Sequence, residues 1–169
     1  MNPKENVDSI VTAEYVLPMD KGLPVMRDGA VAVKGGRIVS VGKSEEIFRD
    51  YQAGRVIGGS GRVLFPGLVN THTHAAMVLF RGLADDLPFK EWLEQHIWPA
   101  ESKWLGPEFI SDAIELACLE MLKAGITIYH DMYFFGDVTG KTTKRMGMRA
   151  VLGVGILDFP TKVADTRDR

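Results

Sequence analysis

Cysteine is nearly absent. Cys118 stands alone among 169 residues, so no disulfide can form within the chain. A lone thiol agrees with a reducing compartment and excludes a disulfide-stapled scaffold. A basic excess is missing too: 20 Lys and Arg stand against 22 Asp and Glu, for a formal net charge of -2. That balance argues against nucleic acid or an anionic membrane surface as partner. No apolar run approaches the roughly 18 residues of a membrane span. The longest, Val151 to Leu157, reads as a buried strand. The opening MNPKENVDSI lacks the basic start and apolar core of a signal peptide. The expectation is a cytoplasmic globular protein that binds neither membrane nor nucleic acid.

What is present fits that class, with 46% hydrophobic and 25% charged residues. The front of the chain is β-rich. Ile10–Leu17 reads as a strand, and Ala30–Val33 and Arg37–Val41 flank Gly35-Gly36 as a tight hairpin. Ser44–Arg49 reads as a short helix, with short strands at Val56–Ile57 and Arg62–Leu64. Near Phe65 the rhythm changes. The strand begun at Val63 runs through Pro-Gly-Leu-Val-Asn to Thr-His-Thr-His, delivering polar side chains at its carboxyl end as a parallel α/β sheet does.

A helix is predicted over Leu87–Trp98, with Asp86 as N-cap and Pro88 in its first turn. The clearest helix follows. Ile110, Ala113, Ile114, Ala117, Cys118, Met121 and Leu122 fall on one face at the helical period, between Pro107 and Gly125. A strand over Ile126–Tyr129 ends at His130-Asp131. A weaker helix spans Asp137–Met146, and a strand over Ala150–Leu157 ends at Asp158. Repeated βα units imply a parallel sheet. Three such strands cannot close a (β/α)₈ barrel, which takes about 250 residues.

His72 and His74 form His-x-His at a strand end. Residues i and i+2 point to one side of a strand, so two neutral imidazoles can share a divalent ion. The bland alternative is two surface histidines in a loop. Alone the pattern is weak; after Pro-Gly-Leu-Val-Asn-Thr at the end of a strand it becomes a metal-binding expectation. Cys118 lies on an apolar helix face and reads as a buried, inert thiol. His96 and His130 read as structural. Gly140-Lys141-Thr142 lacks the upstream glycine of a phosphate-binding loop, since Phe135 occupies that position.

The segment Phe65 to His74 resembles the first metal motif of the amidohydrolase superfamily. Its Asn-Thr-His-Thr-His form, Arg81 to Leu87, Trp98-Pro99-Ala100-Glu101, Asp131-Met132-Tyr133 and Gly147 to Ala150 together resemble the 5-methylthioadenosine/S-adenosylhomocysteine deaminases. The resemblance implies an α/β fold: half of a small β-sandwich over residues 1–62, then the first three βα units of a metal-dependent (β/α)₈ barrel over 63–169. It further implies hydrolytic deamination of an adenine ring, a small-molecule nucleoside substrate, and one divalent ion, zinc first, held in part by His72 and His74.

Glu101 is implied to bind the ribose hydroxyls. Its plain alternative is a solvated glutamate at a helix end. Trp92 reads either as part of the thioether or ribose pocket or as a helix-face core residue beside Leu93 and His96. The remaining ligands and the proton shuttle are expected beyond residue 169. The chain is therefore expected to be an N-terminal portion, inactive without a complementary C-terminal portion. Formation of a homo-oligomer is left open. Two other readings stand beside this one: a related chlorohydrolase or heterocycle deaminase, and a non-catalytic fragment serving as a binding or assembly module.

Overall fold

The computed structural model describes residues 3–157 and 160–163. The chain divides into two compact units, Met1–Pro66 and Gly67–Arg169. The first holds β1 (Glu5–Val16), β2 (Met26–Lys34), β3 (Arg37–Lys43), α1 (Ser44–Asp50) and β4 (Tyr51–Leu64). These strands form one sheet in the order β3-β2-β1-β4. β1 pairs antiparallel with β2 and parallel with β4. At the β2–β3 turn Gly35 and Gly36 have φ of 59° and 71°, the double positive φ that a primed hairpin turn needs. Val7, Ile10, Ala30 and Ala32 bury their sheet face under Ile47 of α1.

Two sequence expectations change in this unit. The short strands at Val56–Ile57 and Arg62–Leu64 are parts of one 14-residue strand, β4. The residues between them do not break it: Gly58, Gly59 and Gly61 lie within the strand at positive φ. Val63 and Leu64 pair with Tyr15 and Val16 of β1 and do not start the histidine-bearing strand. At Gly58, φ is 114° and an added Cβ would overlap the Thr12 carbonyl. Gly58→Ala should therefore cost about 3 kcal/mol, combining overpacking with a forbidden φ. A fall in the denaturant midpoint at constant m-value checks this.

The second unit holds β5 (Leu68–Thr73), a 3₁₀ turn (Ala75–Phe80), α2 (Phe89–Glu91), a π-helical segment (Trp92–Ile97) and α3 (Trp98–Trp104). It continues with α4 (Pro107–Lys123), β6 (Ile126–Met132), α5 (Gly136–Arg145) and β7 (Arg149–Gly153). The sheet is β5-β6-β7, all parallel, so the unit is α/β as expected. α4 matches its predicted face except at its last position: Leu122, in the final turn, is exposed, but Ile110, Ala113, Ile114 and Cys118 are fully buried and Ala117 and Met121 nearly so. They pack with Tyr129 of β6 and Phe80 in one core, each large apolar side chain contributing about 1.5–3 kcal/mol. Gly125 follows at φ 79°, the left-handed residue that ends such a helix.

The helix expected over Leu87–Trp98 differs at both ends. Asp86 is not its cap: it sits at φ 62°, Pro88 is the N-cap, and helical residues begin at Phe89. The helical path then runs on through the π segment into α3. Pro99 explains this. In an α-helix its ring would meet the carbonyl four residues back, and it has no N–H to donate. A widened π turn just before it relieves both problems.

The strand expected over Ala150–Leu157 is shorter. β7 ends at Gly153, and Asp158 lies outside the described residues. Val154 and Ile156 are 82% and 78% exposed, so the expected burial is not found. β7 is an edge strand with β6 alone beside it, and two-sided burial needs neighbours on both flanks and cover on both faces. Among the described residues, no helix is long and apolar enough to cross a membrane.

Candidate metal and substrate site

The parallel sheet brings the carboxyl ends of β5 and β6 side by side, with Thr73 opposite Asp131. His72 and His74 leave the end of β5. Their rings meet edge to face with centroids 5.1 Å apart. Two imidazoles holding one tetrahedral ion at about 2.1 Å each place their ring centres about 5 Å apart, so the pair fits joint ligation.

His74 Nδ1 lies 2.6 Å from the Met132 carbonyl oxygen. A carbonyl only accepts, so Nδ1 carries the proton and Nε2 keeps the lone pair a metal needs. The donor set therefore suits a divalent ion as two of its ligands. Among the described residues no group of three or more His, Cys, Asp or Glu is placed to hold one, whereas a catalytic zinc site takes three protein ligands.

Below the rings lies a cavity of about 790 Å³, within the range of small-molecule sites. His74, Trp92 and Glu101 all line it. His72 is exposed and does not line it, and His96 is half-buried outside it. The walls are apolar and aromatic, with Met77, Phe89, Leu93, Ile97, Phe134 and Phe135 among them. Trp92 stands against Phe89, ring centroids 5.9 Å apart. A second cavity of about 230 Å³ shares Trp98, Glu101, Phe134, Leu157 and Lys162 with the first.

Glu101 is buried, and Tyr133 Oη donates to its Oε1 at 2.6 Å. Burial holds its carboxyl above the usual carboxylate range, against the opposing pull of the Tyr133 hydrogen bond and His74. Burial and the Glu101 carboxylate together push the Tyr133 phenol up. Phe135, at the head of α5, sits at φ 55°, a strained setting for a bulky residue that costs on the order of 1–3 kcal/mol. It turns the chain so that Phe134 and Phe135 both reach the cavity.

Other flagged residues lie apart. His130 Nδ1 donates to the Thr71 carbonyl at 3.2 Å, tying β6 to β5. Cys118 is buried, and burial raises its thiol above the usual range. Gly140-Lys141-Thr142 sits within α5, with Lys141 paired to Asp137 at 3.1 Å. Tyr133 was missed as a site residue. Its sequence signals are its place in the Asp131-Met132-Tyr133 segment of the resemblance and its position just beyond a strand end, where site residues of α/β proteins gather.

A parallel sheet that delivers His74 from the end of β5 to an aromatic cavity, where the buried Glu101 of α3 joins it, is a ligand site of the α/β class. The comparisons narrow this. The amidohydrolase family profile matches residues 63–169, and the chain belongs to that family. It is 54% identical over 154 residues to a 5-methylthioadenosine/S-adenosylhomocysteine deaminase of Thermodesulfovibrio yellowstonii, covering 90% of this chain and 35% of the relative. It is 46% identical to a 5'-deoxyadenosine deaminase of Methanosarcina acetivorans, covering 90% and 34%. An adenosine deaminase from Xanthomonas campestris, solved with zinc bound, superposes with a TM-score of 0.93 at 44% identity, covering 98% of this chain and 38% of that one. The chain thus spans about a third of the length of these relatives.

Proposed function

We propose that this chain is the N-terminal portion of a metal-dependent aminohydrolase. Its reaction replaces the amino group on the adenine ring of 5'-methylthioadenosine or S-adenosylhomocysteine by oxygen and releases ammonia. In this reading the first unit is half of a small β-sandwich. The second supplies the first three βα units of a (β/α)₈ barrel, and later strands bring the remaining ligands and the proton shuttle. The chain by itself is then inactive.

One observation carries the reading: an aromatic cavity that holds a buried, hydrogen-bonded carboxylate and an imidazole with a free Nε2 in the same wall. His72 and His74 would hold the ion, zinc first. A bound ion of this kind supplies a Lewis acid that makes water acidic near neutral pH. The chain's own residues do the rest of the binding. Glu101 offers acceptors to two neighbouring ribose hydroxyls, a carboxylate–diol match. Trp92 and Phe89 give the thioether side an apolar wall, where sulfur–aromatic contact is favourable. Glu101 stands between the two cavities, so a ribose anchored there leaves room for a longer 5' substituent.

The test is ammonia release by the complete protein from 5'-methylthioadenosine, S-adenosylhomocysteine, 5'-deoxyadenosine and adenosine. Turnover of the 5'-substituted nucleosides is expected. No ammonia from any nucleoside, with turnover of a chloro- or amino-substituted heterocycle instead, overturns the assignment.

A further inference from the structure

The end of β6 makes three consecutive contacts with the site. Asp131 Oδ1 accepts the Ala75 N–H at 2.7 Å. The Met132 carbonyl accepts the His74 Nδ1 proton at 2.6 Å. Tyr133 Oη donates to Glu101. Asp131 is only 2% exposed, and burying a carboxyl is expensive unless it is hydrogen-bonded. Its bond is made to the residue that directly follows His74 and opens the 3₁₀ turn. That turn has no side-chain cap of its own, so the Ala75 N–H, one of the orphan donors of a helix start, depends on Asp131.

We propose that Asp131 is a positioning residue for metal binding. By holding the Ala75 N–H it pins the turn after His74 to the end of β6, where the Met132 carbonyl fixes the His74 ring with Nδ1 protonated and Nε2 free. The proposal rests on the reading of His74 as a ligand. A backbone carbonyl that orients a histidine works only while the two strand ends keep their spacing. The bond across 56 residues of sequence keeps it. It adds to the Thr73–Asp131 pairing, which follows an irregular stretch of the β5–β6 register between Asn70 and Thr73.

The test measures zinc affinity of the complete protein by chelator competition, with folding followed by circular dichroism. Asp131→Ala should bind zinc about 10–100-fold more weakly, the usual cost of removing a group that orients a ligand. Asp131→Asn, whose amide oxygen still accepts the Ala75 N–H, should stay within about threefold of the unsubstituted protein. Unchanged affinity in folded Asp131→Ala overturns the proposal, and so does an equal loss in both variants.

If Asp131→Ala does not fold, nitrogen-15 NMR of the His74 ring in the unsubstituted, metal-free protein decides. Protonation at Nδ1 is expected, and protonation at Nε2 overturns the proposal. If the unsubstituted protein binds no zinc, or His74→Ala binds it equally well, the ligand reading falls and takes the proposal with it. Dependence on His74 together with indifference to Asp131 overturns the proposal alone.

Discussion

His74→Ala in the complete protein is expected to lower kcat for ammonia release from 5'-methylthioadenosine by about 10³-fold, with loss of bound metal. That factor corresponds to about 4 kcal/mol of transition-state charge stabilisation, the order a Lewis-acid ion supplies. The ring of His74 lies in the cavity wall with its proton committed to Met132, and no other imidazole of the described residues lines that cavity. Steady-state kinetics with metal analysis checks the outcome. His96→Ala is the control: half-buried and outside the cavity, His96 should leave both kcat and metal content unchanged. Full metal content in His74→Ala would remove this histidine from the ligand set.

The second large effect is on substrate binding. Glu101→Gln should raise KM for the nucleosides by about 10–100-fold, the loss of roughly 1.5–3 kcal/mol from hydrogen bonds to a charged acceptor, with kcat changed far less. A 2',3'-dideoxy analogue lacks the hydroxyls and should not distinguish the variant from the parent. Tyr133→Phe, which removes the donor to Oε1, should shift KM in the same direction by less.

The pH dependence follows from burial, which raises the Glu101 carboxyl. Diol binding needs the ionised form, so KM should rise as pH falls through that raised value, earlier than an ordinary carboxylate would dictate. Folding runs the other way. A carboxyl whose folded pKa exceeds its unfolded one costs stability as pH rises through the window between the two. Asp131, raised likewise by burial, adds to that cost.

Much of this was written locally in the sequence. α4 announces itself through an apolar face with Pro107 and Gly125 at its ends, and His-x-His at a strand end points to the two rings that the structure brings edge to face. The misread elements share one cause, which is that their form is set by partners distant in sequence. β4 looks broken because glycines normally punctuate strands, but Gly58 is there to let the Thr12 carbonyl approach. The π segment breaks helical periodicity, so Trp92, Ile97 and Glu101 do not read as one face although all three line the cavity. Tyr133 stands in the Asp131-Met132-Tyr133 segment, but its contact does not show there because the partner, Glu101, lies 32 positions away. Val154 and Ile156 read as core since composition carries no information about what covers a strand.

The division of labour around β6 bears on how such a protein can diversify. Asp131 and Tyr133 each hold a different piece of the site through their side chains, so exchanging either disturbs a second element, whereas Met132 holds His74 through a carbonyl that any residue there would supply. The aromatic and aliphatic walls contributed by Phe89, Trp92 and Leu93 carry no comparable obligation among the described hydrogen bonds of their side chains. Substrate preference can therefore drift by swapping wall side chains for others of different volume, while the chemistry-bearing strand end is inherited intact.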